Sequence, residues 1–113
     1  MFSNANGVPI TSQAVTKGKV IFVASAGNDG KNAFNVSPAG APFAFTVGAT
    51  DLKSDARASY SNWGEAVQIY APGSDVVSLG TSSPTALATM SGTSMAAPHV
   101  SGEISRIGTN STS

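Results

Sequence analysis

The sequence predicts a mixed α/β fold organised around a parallel sheet, and three observations carry that reading. Val20-Ile21-Phe22-Val23-Ala24 is a continuous β-branched and aromatic run without polar alternation, the pattern of a strand covered on both faces. Phe43-Ala44-Phe45-Thr46-Val47 and Val67-Gln68-Ile69-Tyr70 are two further short apolar stretches bounded by turn residues, as strands are. Finally, Gly92-Thr93-Ser94-Met95-Ala96-Ala97-Pro98-His99-Val100 reads as a tight entry into a helix.

Taken in order, Pro9 to Lys17 forms a short predicted helix: Pro9 suits a first turn, Ile10 and Ala14 fall four apart, and Gly18 supplies a stop. The first strand follows at once and ends at Gly27-Asn28-Asp29-Gly30, a strong turn signal. A loop with Pro38, Gly40 and Pro42 leads to the second strand, and Ala71-Pro72-Gly73 stops the third. Ser74 to Leu79 and a polar loop through Pro84 then lead to the helix. Pro98 has no N–H, so it belongs in or near the first helical turn and sets the helix start close to Ser94. There is no internal repeat, and the expected organisation is one domain over residues 1–108 with a polar tail at 109–113.

At 113 residues, with 41% hydrophobic and 11% charged, the chain suits a globular segment of one domain at most. A domain this short buries only about 60 to 70% of its unfolded surface, so a lost neighbouring layer would weigh heavily on it. Six basic and six acidic residues cancel, and the bases are scattered. No nucleic-acid or anionic-membrane footprint results, and the longest apolar run is far too short to cross a bilayer. No cysteine is present, which removes disulfides and thiolate metal sites. The first seven residues lack the basic start and apolar core of a secretory signal. The sequons at Asn35 and Asn110 read as chance triplets.

Chemistry concentrates at two turns. Acyl transfer needs an exposed hydroxyl held beside donors for an oxyanion. Ser94 stands where a helix start aims unpartnered N–H groups and positive potential at developing negative charge, and Gly92 permits close backbone approach. Taken alone, Thr93 or Ser94 reads first as an ordinary helix N-cap. Asn28 has a carboxamide that can donate to an oxyanion without transferring a proton, but spacing alone favours a turn residue beside Gly27 and Gly30.

These segments bring in a family. Gly92-Thr93-Ser94-Met95-Ala96-Ala97-Pro98-His99-Val100-Ser101-Gly102 closely resembles the nucleophile motif of subtilisin-like serine proteases, and Val20 to Gly30 resembles their strand ending in Ala-Gly-Asn. Asn35 to Ala39, Thr46 to Asp51, Ala58 to Gly64 and Ile69 to Gly73 look like successive landmarks between them, with proteinase K-like fungal members nearest in look. The resemblance runs from about Ile10 to Gly102 and covers less than half of a usual catalytic domain, on its C-terminal side. It implies part of a subtilisin-like parallel-sheet sandwich with flanking helices. It further implies serine endopeptidase chemistry on a peptide or protein substrate, with Ser94 as nucleophile and Asn28 as the second oxyanion donor. Ser25, Ala26 and Gly27 would form one wall of the primary specificity pocket, no cofactor takes part, and an intact member would be secreted.

The departures matter as much. The family's triad runs Asp, His, Ser along the chain, and this sequence begins too late to hold the first two, so activity would need an upstream Asp/His segment. His99 is the one histidine; five residues after Ser94 on a helix, it is turned about 140° away and is expected to pack. Asp29, Asp51, Asp55 and Asp75 read as surface or turn residues. The calcium site of proteinase K-like relatives would use carbonyls near Pro42 and Ala44 with an aspartate where Gln68 stands, and a neutral amide is a poor substitute; no metal site is expected. Glu103 replaces the apolar continuation of the nucleophile helix and would be costly if buried alone, so the helix is expected to end early or to belong to a truncated product. A non-catalytic peptide- or protease-binding protein is the alternative function.

Overall fold

The computed structural model describes Gly18 and residues 20–111, with side chains through Gly108. The helix predicted at Pro9 to Lys17 lies outside the described residues. Strands β1 (Phe22–Ser25), β2 (Ala44–Thr50) and β3 (Val67–Pro72) form a sheet in the order β1-β2-β3. Both pairings are parallel, with Phe22 opposite Ala44 and Thr50 opposite Pro72. The predicted α/β class with a parallel sheet is thus the observed one.

Two details of the sheet differ from expectation. Val20 and Ile21 precede β1 instead of opening it and are 50% and 62% exposed, because β1 is the sheet's edge and no further strand among the described residues covers it. β3 also runs through Ala71 to Pro72 instead of stopping at Tyr70. It is the other edge strand, and an edge tolerates a residue that cannot donate to a ladder.

A hairpin follows that the sequence pattern does not predict: β4 (Val76–Leu79) pairs antiparallel with β5 (Leu87–Met90). Its residues lack a clear period-two alternation, and Val77, Leu79, Leu87 and Met90 are exposed. Cross-strand pairing, which is not local in sequence, makes these strands.

Helix α1 spans Thr93–Ser111. It neither ends early nor buries its far half, and it continues into the stretch read as a polar tail. Beyond the buried Thr93 at its start, the stripe Ala96, Val100 and Ile104, spaced four apart, turns inward with Ala97. It packs on Val47, Ala49, Ala58 and Ala71. Alanines on both sides let the helix backbone approach the sheet closely. Glu103, expected to burden a core, is exposed and bonded to Arg106 through its guanidinium, with Nε at 3.1 Å from both carboxylate oxygens. Hydrogen bonding to the guanidinium lowers the Glu103 pKa, and hydrogen bonding to the carboxylate raises that of Arg106, with the opposite charges adding to both.

Candidate active site

The β1-to-turn segment and the start of α1 meet at one place because β2 lies between β1 and β3 and α1 crosses all three strands. Ala26 continues the ladder beyond β1, donating its N–H to the Val47 carbonyl at 2.9 Å. The α1 entry is tied down separately: the Gly92 N–H donates to the Gly73 carbonyl at 2.8 Å, which also accepts from the Tyr60 hydroxyl at 2.9 Å.

Thr93 joins the two. Its backbone N–H and its hydroxyl both donate to Asn28 Oδ1 at 2.8 Å, and its Oγ1 accepts from the Gly27 N–H at 3.1 Å. The side chain is fully buried. Two donors converging on one atom of Asn28 identify that atom as oxygen, since an amide nitrogen could not accept them. The carboxamide is therefore oriented, with its Nδ2 donors left on the outer side. A β-carbon built on Gly92 would lie 3.5 Å from Asn28 Nδ2 and 3.7 Å from the Ser94 backbone nitrogen. Both donors thus border one small space that the missing side chain keeps open. Gly92 also has φ +154°, a conformation that favours glycine. The Ser94 N–H lies in the first helical turn and has no intrahelical acceptor, and Ser94 itself is exposed. Nucleophile candidate and oxyanion candidates therefore share one surface.

Ser25 closes β1 half-buried, Ala26 is fully buried, and Gly27 is half-buried. The Ala26 methyl packs with Ala33 and Ala39, so what this segment can offer a ligand is backbone and Gly27. His99 is exposed, contrary to its expected packing role, and its Nδ1 lies 2.8 Å from the Met95 carbonyl oxygen. A carbonyl only accepts, so Nδ1 carries a proton there; the imidazole addresses its own helix and not Ser94. Asp55 and Asp75 hold left-handed turn conformations, at φ +57° and +53°. Asp29 is an exposed turn residue and Asp51 is half-buried. Gln68 is exposed on β3, and among the described residues no group of three acidic, histidine or cysteine side chains is placed to hold a metal ion.

The sequence shows Thr93 only as a cap within a motif, and Asn62 only as part of the landmark Ala58 to Gly64, with no role of its own. Thr93 stood in the recognised motif. Asn62 is fully buried and bonded into the Asn28 turn, across a sequence separation that no local pattern reports.

The structure thus brings together a parallel sheet, a helix whose start meets a strand-end asparagine, and an exposed serine at that junction. The chain belongs to the Subtilase family, whose profile matches residues 3–109. It is 58% identical to alkaline protease 1 of Aspergillus clavatus over 83 residues, which are 74% of this chain and 20% of that protein. It is 50% identical to subtilisin-like protease 3 of Pseudogymnoascus destructans over 92 residues, 81% of this chain and 22% of that protein. A solved cold-adapted subtilisin-like serine proteinase superposes with a TM-score of 0.62 at 49% identity, over 69% of this chain and 28% of that one. The chain spans about a fifth of the length of these curated relatives.

Proposed function

We propose that this chain supplies the nucleophile, both oxyanion donors and part of the substrate-binding wall of a subtilisin-like serine endopeptidase, while the histidine base and its aspartate come from a segment outside the chain. The observation that carries the reading is the Thr93 clamp on Asn28 Oδ1, which leaves Nδ2 and the Ser94 N–H bordering the same space. In the reaction, Ser94 Oγ attacks the peptide carbonyl and its proton passes to the supplied base. The tetrahedral oxyanion is held by Asn28 Nδ2 and the Ser94 N–H, the protonated base gives its proton to the leaving amine, and water then hydrolyses the acyl-enzyme. The intact enzyme acts outside the cell.

By itself the chain has no appreciable peptidase activity. Its single histidine is bonded to the Met95 carbonyl, and without a base the serine cannot lose its proton in step with attack. A fluorogenic peptide assay should compare the chain, Ser94→Ala and a mixture with a separately made Asp/His segment. Activity only in the mixture, and only with Ser94, is expected; Ser94-dependent turnover by the chain alone at rates of an intact protease would refute the reading.

The same His99 contact favours a second reading, a non-catalytic domain that binds peptides or a protease partner. Fluorophosphonate labelling separates them: the mixture labels rapidly at an activated Ser94, whereas a pure binding protein labels slowly with or without the added segment.

A further inference from the structure

We infer that Asn62 is a positioning residue for the oxyanion site, holding the Asn28 turn by its two flanks without touching substrate; this rests on the protease reading above. The turn from Ala26 to Lys31 has four of its backbone polar groups on this one residue. Asn62 Oδ1 accepts from the Asp29 N–H at 3.1 Å and the Lys31 N–H at 2.9 Å. Asn62 Nδ2 donates to the Ala26 carbonyl at 2.8 Å, and the Asn62 backbone N–H donates to the Gly27 carbonyl at 2.9 Å. Asn28 is the residue between these contacts, and its own side chain is held only from the opposite side, by Thr93.

The carboxamide suits this task as no other side chain of its size does. It must accept twice on one atom and donate on the other, which a carboxylate, a hydroxyl or a hydrocarbon cannot do. It is also wedged in place. A β-carbon on Gly27 would come within 2.4 Å of Asn62 Nδ2, so the glycine, at φ +106°, is what admits the clamp. Asn62 is fully buried, and the next residue extends the hold: Trp63 N–H donates to the Lys31 carbonyl at 3.1 Å and Trp63 Nε1–H to the Gly30 carbonyl at 3.0 Å. The Asn28 amide is therefore located by two independent anchors, Thr93 on its oxygen and Asn62 on the backbone of the residues that flank it. Loss of either lets the donor drift from the space beside Ser94.

The consequence is kinetic coupling. Asn62→Asp keeps both acceptor bonds but turns the donor facing the Ala26 carbonyl into a repelling oxygen, and Asn62→Ser keeps the backbone bond to Gly27 but is too short to span all three side-chain contacts. Displacement of a positioned group by a fraction of an ångström to 1 Å costs on the order of 10- to 100-fold in rate. In the chain mixed with its Asp/His segment, and normalised by fluorophosphonate active-site titration, each variant should lower kcat about tenfold or more, with KM within about twofold. The deciding arm is a double-mutant cycle. In an Asn28→Ala background the same Asn62 changes should lower kcat no further, because the donor they misplace is gone. Full additivity in that background, or unchanged kcat in both single variants, overturns the proposal, as does failure of both variants to fold, which would assign Asn62 to the fold alone.

If the unsubstituted mixture shows no Ser94-dependent turnover, the protease reading fails and Asn62 is judged separately. In the ¹⁵N-labelled full chain, Asn62→Asp should shift the Asn28 side-chain amide and the Thr93 backbone amide resonances. Resonances left in place would overturn the clamp itself.

Discussion

Replacing Thr93 by valine tests the junction most sharply, because the change removes an oxygen while preserving shape at a fully buried position. Two bonds are lost: the hydroxyl to Asn28 Oδ1 at 2.8 Å and the Gly27 N–H to Oγ1 at 3.1 Å. Asn28 Oδ1 keeps the Thr93 N–H, so that side forfeits only one bond of about 0.5 to 1.5 kcal/mol. Gly27 is left with an unpartnered donor at a partly buried site, costing about 1 to 3 kcal/mol. The new methyl returns about 0.8 kcal/mol of apolar burial. The net is a loss of about 2 kcal/mol, which at a urea m-value of about 1 to 2 kcal/mol/M moves the unfolding midpoint down by about 1 to 2 M. Thr93→Ser is the control: it keeps both oxygen bonds and loses one methyl, about 1 kcal/mol with the cavity included. Urea unfolding should therefore rank serine above valine, and hydrogen exchange should show the Gly27 amide losing protection in valine only. Valine as stable as threonine, with Gly27 still protected, would refute the claim that the hydroxyl joins the two turns.

Asn28→Ala in the reconstituted enzyme should lower kcat with little change in KM; the expected loss of about 10²- to 10³-fold is that of the corresponding donor in subtilisin itself and is not worked out from this structure. An unchanged kcat would leave Asn28 as a turn residue only. Calorimetric titration with calcium should show no saturable site at micromolar concentration, since Gln68 offers a neutral oxygen on an exposed strand face; a clear micromolar isotherm would show that other oxygens build one. The Glu103–Arg106 pair lowers the glutamate pKa in the folded chain, so its contribution is present above the unfolded glutamate value and is lost as pH falls through the lowered folded value. Both side chains are more than half exposed, so Glu103→Gln should leave Tm unchanged within about 1 °C at physiological salt, and a larger fall would show the pair to matter.

Local chemistry made much of this molecule legible. Short apolar runs rich in β-branched and aromatic residues between turn signals favour strands, which is why most residues of β1 to β3 and the parallel class were readable, although Val20 and Ile21 lie outside β1 and stay exposed. A proline six residues into a helix that starts at Thr93 limits where that helix can begin, which is why Ser94 was readable as sitting at a helix start. Asn28 and Ser94 stand out separately, each through a short motif that resembles one of the subtilisin-like family, whereas local spacing alone favours a turn residue and a helix cap. Only the tertiary structure decided what joins them. Thr93 and Asn28 are 65 positions apart, and Asn62 reaches Asp29 and Lys31 across more than 30. Contacts at such separations obey no period and leave no local trace. The hairpin β4–β5, the exposure of His99 and the full length of α1 were hidden for a related reason: each depends on which neighbours cover a surface. The sequence names residue types that could do the chemistry, and the crossing of α1 over a parallel sheet brings Thr93, beside Ser94, within hydrogen-bonding reach of Asn28, because only packing fixes distances between residues far apart in the chain.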